Sequence, residues 1–255
     1  MHYDIESYWS RVANEIGRRE SGKLVAGDDD PYYRYKRRKF LRRFLATLDV
    51  AGQRVLELGC GPGGNLFEIA RREPAFLIGI DISSSMLSLA RRTLQGFVVE
   101  LKKTDGKHLP LENLSVDKAF TVTVLQHNVD PVGLGRVVAE LCRVTVRQIV
   151  IFEDTGVTVT ALEGSAAISR PVETYRAEFE RNGFRLESTT YLKTRASRRA
   201  HGILRRLFVP ANHREGEPLS TPIRAMLTLA LTITRPLDDV VPEKGDLTRM
   251  AFVRA

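Results

Sequence analysis

The stretch VLELGCGPGGN, from Val55 to Asn65, determines the fold that the rest of the chain is expected to adopt. Apolar, strand-forming residues lead into four glycines within six positions, and a segment with helical apolar spacing follows. Because glycine has no Cβ, its backbone can take a positive φ and come close to a ligand. The free N–H groups at the start of the following helix favour a polar or anionic group. The stretch therefore predicts a strand, a ligand-binding turn and a helix.

The same glycines leave several interpretations open. Gly59, Gly61 and Gly64 satisfy the G-x-G-x-x-G pattern of dinucleotide-binding folds, and a turn with a structural role alone is a further alternative. Glu57 argues against a dinucleotide, because its carboxylate would repel a pyrophosphate but could accept hydrogen bonds from an ammonium group or from hydroxyls. Glu57, Gly59, Gly61 and Gly63 match (D/E)-x-G-x-G-x-G, which resembles the first motif of the class I S-adenosylmethionine-dependent methyltransferases.

The charge is concentrated in two segments. The chain has 255 residues, enough for one or two domains, and a formal net charge of +8. Residues 34–43 and 193–214 each hold seven basic residues and no acidic one, which leaves −6 for the remainder. This distribution indicates that the basic segments meet a partner. Cys60 and Cys142 give no disulfide framework, which predicts a cytoplasmic protein, and the apolar run at 225–233 is too short to span a bilayer.

Strands and helices alternate after residue 51, as in a parallel sheet covered on both faces. The predicted strands are 54–58, 76–81, 97–103, 116–120, 148–153, 184–191 and the terminal MAFVRA. The predicted helices of this region are 65–72, 84–94, 132–143 and 171–182. The fold class is thus α/β, a Rossmann-like, doubly wound and mostly parallel sheet of seven strands. Its expected divisions are an N-terminal helical cap, the cofactor-binding core, a helical insertion or lid and a final core strand, at 1–50, 51–192, 193–246 and 247–255.

The resemblance implies S-adenosylmethionine as the cofactor, bound beyond the carboxyl ends of the strands. Asp81 would hold the ribose hydroxyls, Asp105 and Gly106 would meet the adenine, and Thr121 would lie under the sulfonium. The implied cofactor-binding residues of the core are Glu57, Gly59, Cys60, Gly61, Gly63, Asp81, Ile82, Met86, Asp105, Gly106 and Thr121. An acidic residue at position 81 is also expected in a nucleotide-dependent dehydrogenase, so Asp81 alone does not identify the cofactor.

A basic helix in the N-terminal cap offers further cofactor contacts. Its apolar face is formed by Phe40, Leu41, Phe44, Leu45 and Leu48. The same face carries Lys36 and Arg37 one turn earlier and Tyr33 a further turn back, which suits a carboxylate such as the methionine end of the cofactor. A solvated charged end is the alternative. The cations expected to point away are Arg38, Lys39, Arg42 and Arg43.

The candidate acceptor residues follow the fourth and fifth strands. His127, in a Leu-x-His context that the family's small-molecule members share, is the candidate general base, with a hydrogen bond to a backbone carbonyl as the alternative role. Gln126 is expected to open a helix with His127 and to line the acceptor pocket. The other candidate substrate-binding residues are Glu153, Asp154, Arg170 and Tyr175. No ligand spacing predicts a metal.

The insertion is expected to determine acceptor specificity. Its first helix, at 198–208, has an apolar face of Ala200, Ile203, Leu204, Leu207 and Phe208 opposite Arg198, Arg199, Arg205 and Arg206. This pattern is typical of helices that dock on anionic membranes, and packing on the domain as a lid is the alternative. A second helix is predicted from Thr221 as N-cap and Pro222 as first residue to Thr234.

These features predict a cytoplasmic S-adenosylmethionine-dependent methyltransferase, peripheral to a membrane if the basic helix docks there. Its acceptor is expected to be a small or lipid-linked molecule methylated at oxygen, since the Asn-Pro-Pro-aromatic motif of amine methylation does not occur. An RNA methyltransferase is an alternative that the basic segments support, but no RNA-binding module is recognisable, so nucleic acid is the less supported partner. A non-catalytic protein of the same fold that binds an acidic partner is another alternative.

Overall fold

The structure, a computed structural model, describes residues 4–19, 23–25, 27, 30–161, 167–210, 212–213, 217–242 and 247–255. Its helices are α1 Ile5–Arg18, α2 Pro31–Arg43, α3 Gly64–Ala70, α4 Ser84–Thr93, α5 Pro131–Val144, α6 Val172–Arg181, α7 Arg195–Phe208 and α8 Thr221–Asp238. Its strands are β1 Arg54–Leu58, β2 Phe76–Asp81, β3 Glu100–Lys103, β4 Val116–Val122, β5 Thr145–Asp154, β6 Thr160–Ala161, β7 Ile168–Ser169, β8 Phe184–Tyr191 and β9 Leu247–Arg254. Short 3-10 turns cover Leu45–Thr47 and Leu125–His127.

A seven-stranded sheet in the order β3-β2-β1-β4-β5-β9-β8 forms the centre of the fold. Strands β1 to β5 are parallel, and β9 runs antiparallel between β5 and β8. The chain order reverses between β1 and β4, so a crevice opens at their carboxyl ends, where ligands of such sheets bind. The predicted fold class is therefore confirmed.

Helices cover both faces of the sheet. On one face, α5 and α6 bury residues such as Leu141 and Phe179 against β1, β4, β5 and β9. On the other face, α2, α3 and α4 bury residues such as Phe40, Leu66 and Leu87. Alternate side chains of each strand enter the two cores, which is why the central strands are apolar on both faces.

Local signals determine where the helices begin. Asp30 is the N-cap of α2 and accepts hydrogen bonds from the backbone N–H groups of Tyr32 and Tyr33, while residues 28–29 of the predicted start signal lie outside the described residues. Ser83 caps α4, and Asp130 caps α5. Each supplies an oxygen to N–H groups that the helix itself leaves without partners.

Several boundaries differ from the sequence predictions, among them those of β3 and α8. The strand predicted from residue 97 begins at Glu100, because β3 pairs only with the last four residues of β2. Helix α8 has Ser220 as N-cap, so Thr221 is its first residue. It passes Thr234 and Pro236 to end at Asp238, whose carboxylate accepts hydrogen bonds from the Ser197 N–H and from the Tyr35 hydroxyl.

The cap and the insertion pack together at α2. Both α7 and α8 contact α2, and the Ser197 hydroxyl of α7 lies 2.9 Å from the Thr234 hydroxyl of α8. Lys39, which was expected to point into water, is buried between them and donates to the Lys193 carbonyl and to Asp239. The prediction for Lys39 was wrong because α7 and α8 cover that side of α2, which a helical wheel of one segment does not reveal.

Candidate active site

The glycine turn after β1 has the conformation that its sequence predicts. Gly59, Gly61 and Gly63 have φ values of 72°, 50° and 85°, in the left-handed region that favours glycine. A Cβ on Gly59 would lie 2.2 Å from Val124 Cγ2, and one on Gly64 would lie 2.4 Å from the Leu24 carbonyl oxygen. The turn is therefore packed closely on both sides, and its open side faces the carboxyl ends of the strands.

Asp81, at the end of β2, holds this turn in place. Its carboxylate accepts hydrogen bonds from the N–H of Gly61 at 2.8 Å and from the N–H of Ser83 at 2.9 Å. Burial raises its pKa above the ordinary value of 3.8, while the backbone N–H groups act in the opposite direction. Each carboxylate oxygen retains a second lone pair, so the predicted ribose contact is compatible with these bonds.

Three buried polar atoms beside the turn have no hydrogen-bond partner within the described part of the chain. They are Glu57 Oε2, Arg37 Nε and Thr121 Oγ1. Glu57 uses its other oxygen to accept from Asn65 Nδ2 at 2.9 Å, and Arg37 donates to the Gly64 carbonyl at 3.3 Å. Thr121 is paired in register with Leu58, the last residue of β1.

Glu57 is almost fully buried, and burial raises its pKa to about 8. The positive charge of Arg37 acts in the opposite direction. A buried donor or acceptor without a partner is costly, so native structures rarely leave one unless a ligand or water completes it. An acidic and a basic side chain with unfilled hydrogen-bonding capacity beside one turn fit a zwitterionic ligand.

The next cofactor candidates are Ile82, Gly106 and Asp105, which differ in how free they are to contact a ligand. Ile82 Cδ1 would lie 3.1 Å from a Cβ on Gly106, so these two predicted residues are neighbours. Asp105 is exposed, and the N–H groups of Lys107 and His108 lower its pKa to about 2. Any contact of Asp105 with adenine must therefore use a carboxylate that already closes its own turn.

The side chains of Cys60 and Met86 are both buried. The Cys60 thiol lies in the core beside Leu66, and burial raises its pKa well above the usual range. Met86 is buried against Val12, Ala13 and Ile16 of α1. The cofactor contacts expected of these two residues stay predictions.

Helix α2 reaches the site through Lys36 and Arg37. Lys36 Nζ lies 3.1 Å from Asp154 Oδ1, so this ion pair joins α2 to the end of β5. The Tyr33 side chain is partly exposed, but withdrawal of its hydroxyl from water raises its pKa, and the charges of Lys36 and Asp154 also act on it. Tyr33, Lys36 and Asp154 therefore lie close together, and the cofactor contacts expected of Tyr33 and Arg37 stay predictions.

Glu153 supports the site from beneath and does not face an acceptor. It is fully buried, and its carboxylate accepts hydrogen bonds from the backbone N–H groups of Val124, Leu125 and Gln126 at 2.9–3.1 Å. Burial raises its pKa to about 8. The expected substrate contact is therefore corrected: Glu153 holds the turn that follows β4.

Gln126 and Arg170 have similar supporting positions. Gln126 Oε1 accepts from the Asp154 N–H at 3.2 Å, and it lies with His127 in a 3-10 turn, not at the start of a helix. Arg170 is buried and donates to the carbonyls of Leu125 and Asn128. Tyr175, on α6, packs its ring in the core, and its hydroxyl has no hydrogen-bond partner among the described residues. The structure thus contradicts a direct acceptor contact for Arg170, because its side chain is used within the protein, whereas the contact expected of Tyr175 stays a prediction.

His127 is brought against a residue that the sequence did not single out. Its ring lies 5.0 Å from the Trp9 ring at an interplanar angle of 88°. Trp9 belongs to α1, and Ser10 on the same helix lies 3.0 Å, oxygen to oxygen, from Ser83. The only available signal was the apolar spacing of Val12, Ala13 and Ile16, which predicts that α1 is packed but not where.

Two kinds of feature are absent from the described residues. No group of three or more His, Cys, Asp and Glu side chains is placed to hold a metal ion there. None of the described helices has the length and apolar character needed to cross a bilayer.

The fold and the crevice define a Rossmann-like protein that binds a nucleotide-containing cofactor. Residues 55–148 match the family model described as a methyltransferase domain. That region is a class I S-adenosylmethionine-dependent methyltransferase domain, which confirms the family and the cofactor implied by the sequence motifs.

Individual proteins resemble parts of the chain. A 37.1 kDa protein in transposon TN4556 of Streptomyces fradiae is 41% identical over 98 residues, which is 37% of this chain and 28% of the relative. A fatty-acid O-methyltransferase of Mycolicibacterium smegmatis is 36% identical over 78 residues, 30% of this chain and 28% of the relative. The matched stretches thus span less than a third of these relatives' own length.

The fold is also that of a solved methyltransferase. Magnesium protoporphyrin IX methyltransferase from Synechocystis PCC 6803, with bound S-adenosylhomocysteine, superposes with a TM-score of 0.64 at 15% identity, covering 98% of both chains. This similarity extends the shared architecture beyond the matched domain to the helical cap and the insertion.

Proposed function

We propose that this protein transfers the methyl group of S-adenosylmethionine to an oxygen of a small or lipid-linked acceptor. The observation that carries the proposal is the set of unpartnered buried atoms on Glu57, Arg37 and Thr121 beside the glycine turn. Their chemistry matches the amino-acid end of the cofactor. The Arg37 guanidinium would bind its carboxylate, and the Glu57 carboxylate would accept from its ammonium group.

The other residues of the crevice have roles that follow from their positions. Asp81 would accept from the ribose hydroxyls while it keeps the turn in place. Ile82 and Gly106 would enclose the adenine, and Tyr33 would cover the methionine end. Thr121, one strand away from the turn, would lie beneath the sulfonium.

When bound, the cofactor would supply an electrophilic methyl group, and the protein would supply alignment, exclusion of water and a proton acceptor. An imidazole nitrogen of His127 would take the proton of the acceptor hydroxyl and release it to water afterwards. Methyl transfer depends mainly on alignment of the reacting groups.

Three observations support an oxygen atom of an apolar acceptor. The sequence lacks the motif of amine methylation, and the Mycolicibacterium relative is named for methylating a fatty acid at oxygen. The third observation is the surface of α7 and α8, on which large apolar side chains face water. Ile203, Leu207, Leu229 and Ile233 are 59–68% exposed.

The insertion would bring the enzyme to its acceptor at an anionic lipid surface. Of the arginines on α7, Arg198, Arg199 and Arg206 are exposed, whereas Arg205 Nη1 is paired with Asp30 at 2.9 Å. The exposed arginines complement anionic headgroups, and the neighbouring Ile203, Leu207 and Phe208 complement the acyl boundary. Their exposure supports docking over the alternative in which this face packs on the domain as a lid. We place the protein in the cytoplasm, peripheral to a membrane.

Transfer of a labelled methyl group tests the function. The purified chain is incubated with methyl-labelled S-adenosylmethionine and with separate fractions of a bacterial extract: lipids, small metabolites and total RNA. We expect label in the lipid or small-metabolite fraction, on an oxygen by mass spectrometry. Label in RNA would support the RNA methyltransferase alternative. Binding of cofactor with no transfer to any fraction would support the non-catalytic one.

A further inference from the structure

Helix α1 lies across the carboxyl ends of three parallel strands. Ser10 contacts Ser83, which follows β2, and Glu6 Oε1 lies 2.6 Å from Lys103 Nζ at the end of β3. Trp9 contacts His127, which follows β4. These strand ends border the crevice to which the cofactor is assigned, so α1 forms its roof.

The roof is held by a separate apolar contact. Val12, Ala13 and Ile16 pack against Met86, with Leu89 at the margin of the cluster. Because this contact lies on α4, the position of Trp9 is determined by the body of the domain and not by His127. Trp9 thus approaches His127 from an independently anchored element, which is what a positioning residue requires.

We propose that Trp9 is a positioning residue that holds the imidazole of His127 in its reactive orientation under the α1 roof. The inference rests on the proposed function, since it takes His127 to be the base. The two rings have the edge-to-face arrangement that aromatic pairs prefer, at 5.0 Å and 88°. An indole in this place blocks rotation of the imidazole about its side-chain bonds. It also excludes water from the side of the imidazole that it covers. Alignment matters here because its loss lowers the rate of methyl transfer.

The structure offers a direct probe, because Trp9 is the single tryptophan of the chain. Its emission therefore reports on the surroundings of Trp9, which include His127 and the Tyr8 ring at 5.2 Å. We expect His127→Ala to shift the emission of Trp9, and saturating S-adenosylhomocysteine to change it in the wild type. Calorimetry on the same samples determines whether the ligand is bound.

The two possible failures are distinguishable. Absence of binding in calorimetry would overturn the proposed cofactor site and this inference with it. Binding without any change in emission, or an emission indifferent to His127→Ala, would overturn the role of Trp9 while the proposed function stands.

Variants of Trp9 separate positioning from packing. The chain has five histidines, so the imidazole protons of His127 can be assigned by NMR with His127→Ala. We expect Trp9→Ala to move the His127 ring signals strongly and Trp9→Phe, which keeps an aromatic edge, to restore most of the shift. Asn14→Ala, an exposed change on the same helix, is the matched control and should leave the signals in place.

The same variants have an expected effect on turnover. With the acceptor found by label transfer, Trp9→Ala should lower kcat by about tenfold to a hundredfold, while Trp9→Phe recovers most of it. The affinity for S-adenosylhomocysteine should stay within a small factor in both. A Trp9→Ala protein that is folded, as judged by its melting temperature, and has unchanged His127 signals would contradict the proposal even before an acceptor is known.

Discussion

The carboxylate of Asp81 and the backbone N–H of Gly61 lie 2.8 Å apart, so the residue that ends β2 also holds the glycine turn that follows β1. The residue predicted to bind the ribose, Asp81, and the turn predicted to bind the methionine end are therefore joined by a hydrogen bond. A change at either residue is expected to affect both parts of the cofactor site.

The first prediction follows from this contact. Asp81→Ala should weaken S-adenosylhomocysteine binding by about 1.5 to 3 kcal/mol, the range for hydrogen bonds to a charged group. Since the Gly61 and Ser83 N–H groups also lose their acceptor, the melting temperature should fall as well. Asp81→Asn retains an acceptor oxygen and should be less impaired in both respects. Unchanged affinity in calorimetry would refute the assignment, and binding of a nicotinamide dinucleotide would favour a dehydrogenase.

Glu57 should make stability depend on pH. Its pKa is about 8 in the folded protein, above the ordinary value of 4.5, so the folded state binds more protons than the unfolded state between these limits. The stabilisation of the folded state by protonated Glu57 is complete below pH 4.5 and is lost as the pH rises towards 8. Urea unfolding of the wild type and Glu57→Gln should show the variant gaining up to about 1.4 kcal/mol per pH unit across this window. A difference that does not vary with pH would contradict the burial argument.

Bound ligand should reduce that pH effect. If Glu57 accepts from the ammonium group of S-adenosylhomocysteine, the bound state favours the carboxylate, and binding releases a proton near pH 7. Calorimetry in buffers of different ionisation enthalpy measures this release. Glu57→Gln should abolish it, whereas release that persists in the variant would assign the proton to another group.

Glu153 should be required for the turn that carries His127. Above about pH 8, where Glu153 is ionised, an amide NH₂ in Glu153→Gln would face backbone N–H groups that donate to the carboxylate, so we expect a loss of about 1.5 to 3 kcal/mol in unfolding free energy. The neighbouring change Asp154→Asn is the control, because Asp154 is partly exposed and its carboxylate pairs with Lys36. Equal effects of the two variants would count against the special position of Glu153.

His127 should affect turnover more than binding. With an acceptor in hand, His127→Ala should lower kcat by about a hundredfold or more and leave the affinity for S-adenosylhomocysteine within a small factor. His127→Gln keeps a polar side chain without a basic nitrogen and should be equally inactive. Loss of melting temperature in parallel with activity would instead point to a structural role.

Membrane docking should depend on charge at α7. Replacement of Arg198, Arg199 and Arg206 by alanine should remove salt-sensitive sedimentation with anionic vesicles, since each arginine near such a surface contributes about 1 kcal/mol. The control replaces Arg91, Arg92 and Arg136, exposed arginines on α4 and α5, which changes the net charge equally. Equal loss in both variants would indicate a general charge effect, and retention on RNA alone would favour the nucleic-acid alternative.

Local sequence patterns were enough to predict the order of the strands of the parallel sheet and its helices, and the conformation of the glycine turn. Alternating apolar segments predict a parallel sheet, and glycine spacing after β1 predicts a turn with positive φ, because both depend on residues close together in the chain. Asp81 was found for the same reason, since a fixed topology places the end of β2 beside that turn. Boundaries were less certain where pairing with a neighbour, as at Glu100, sets the length of a strand.

Only the tertiary structure decided which polar residues are available to a ligand. Glu153 and Arg170 looked suited to an acceptor, but their side chains hydrogen-bond buried backbone groups. Lys39 and Arg205 were expected in water. Lys39 is buried where α7 and α8 cover α2, and Arg205 pairs with Asp30. Trp9 reaches His127 across 118 positions of the chain, and no local pattern encodes such a contact. Secondary-structure and turn preferences depend on neighbouring residues, whereas the hydrogen-bond partners and burial of a side chain depend on how distant segments pack together.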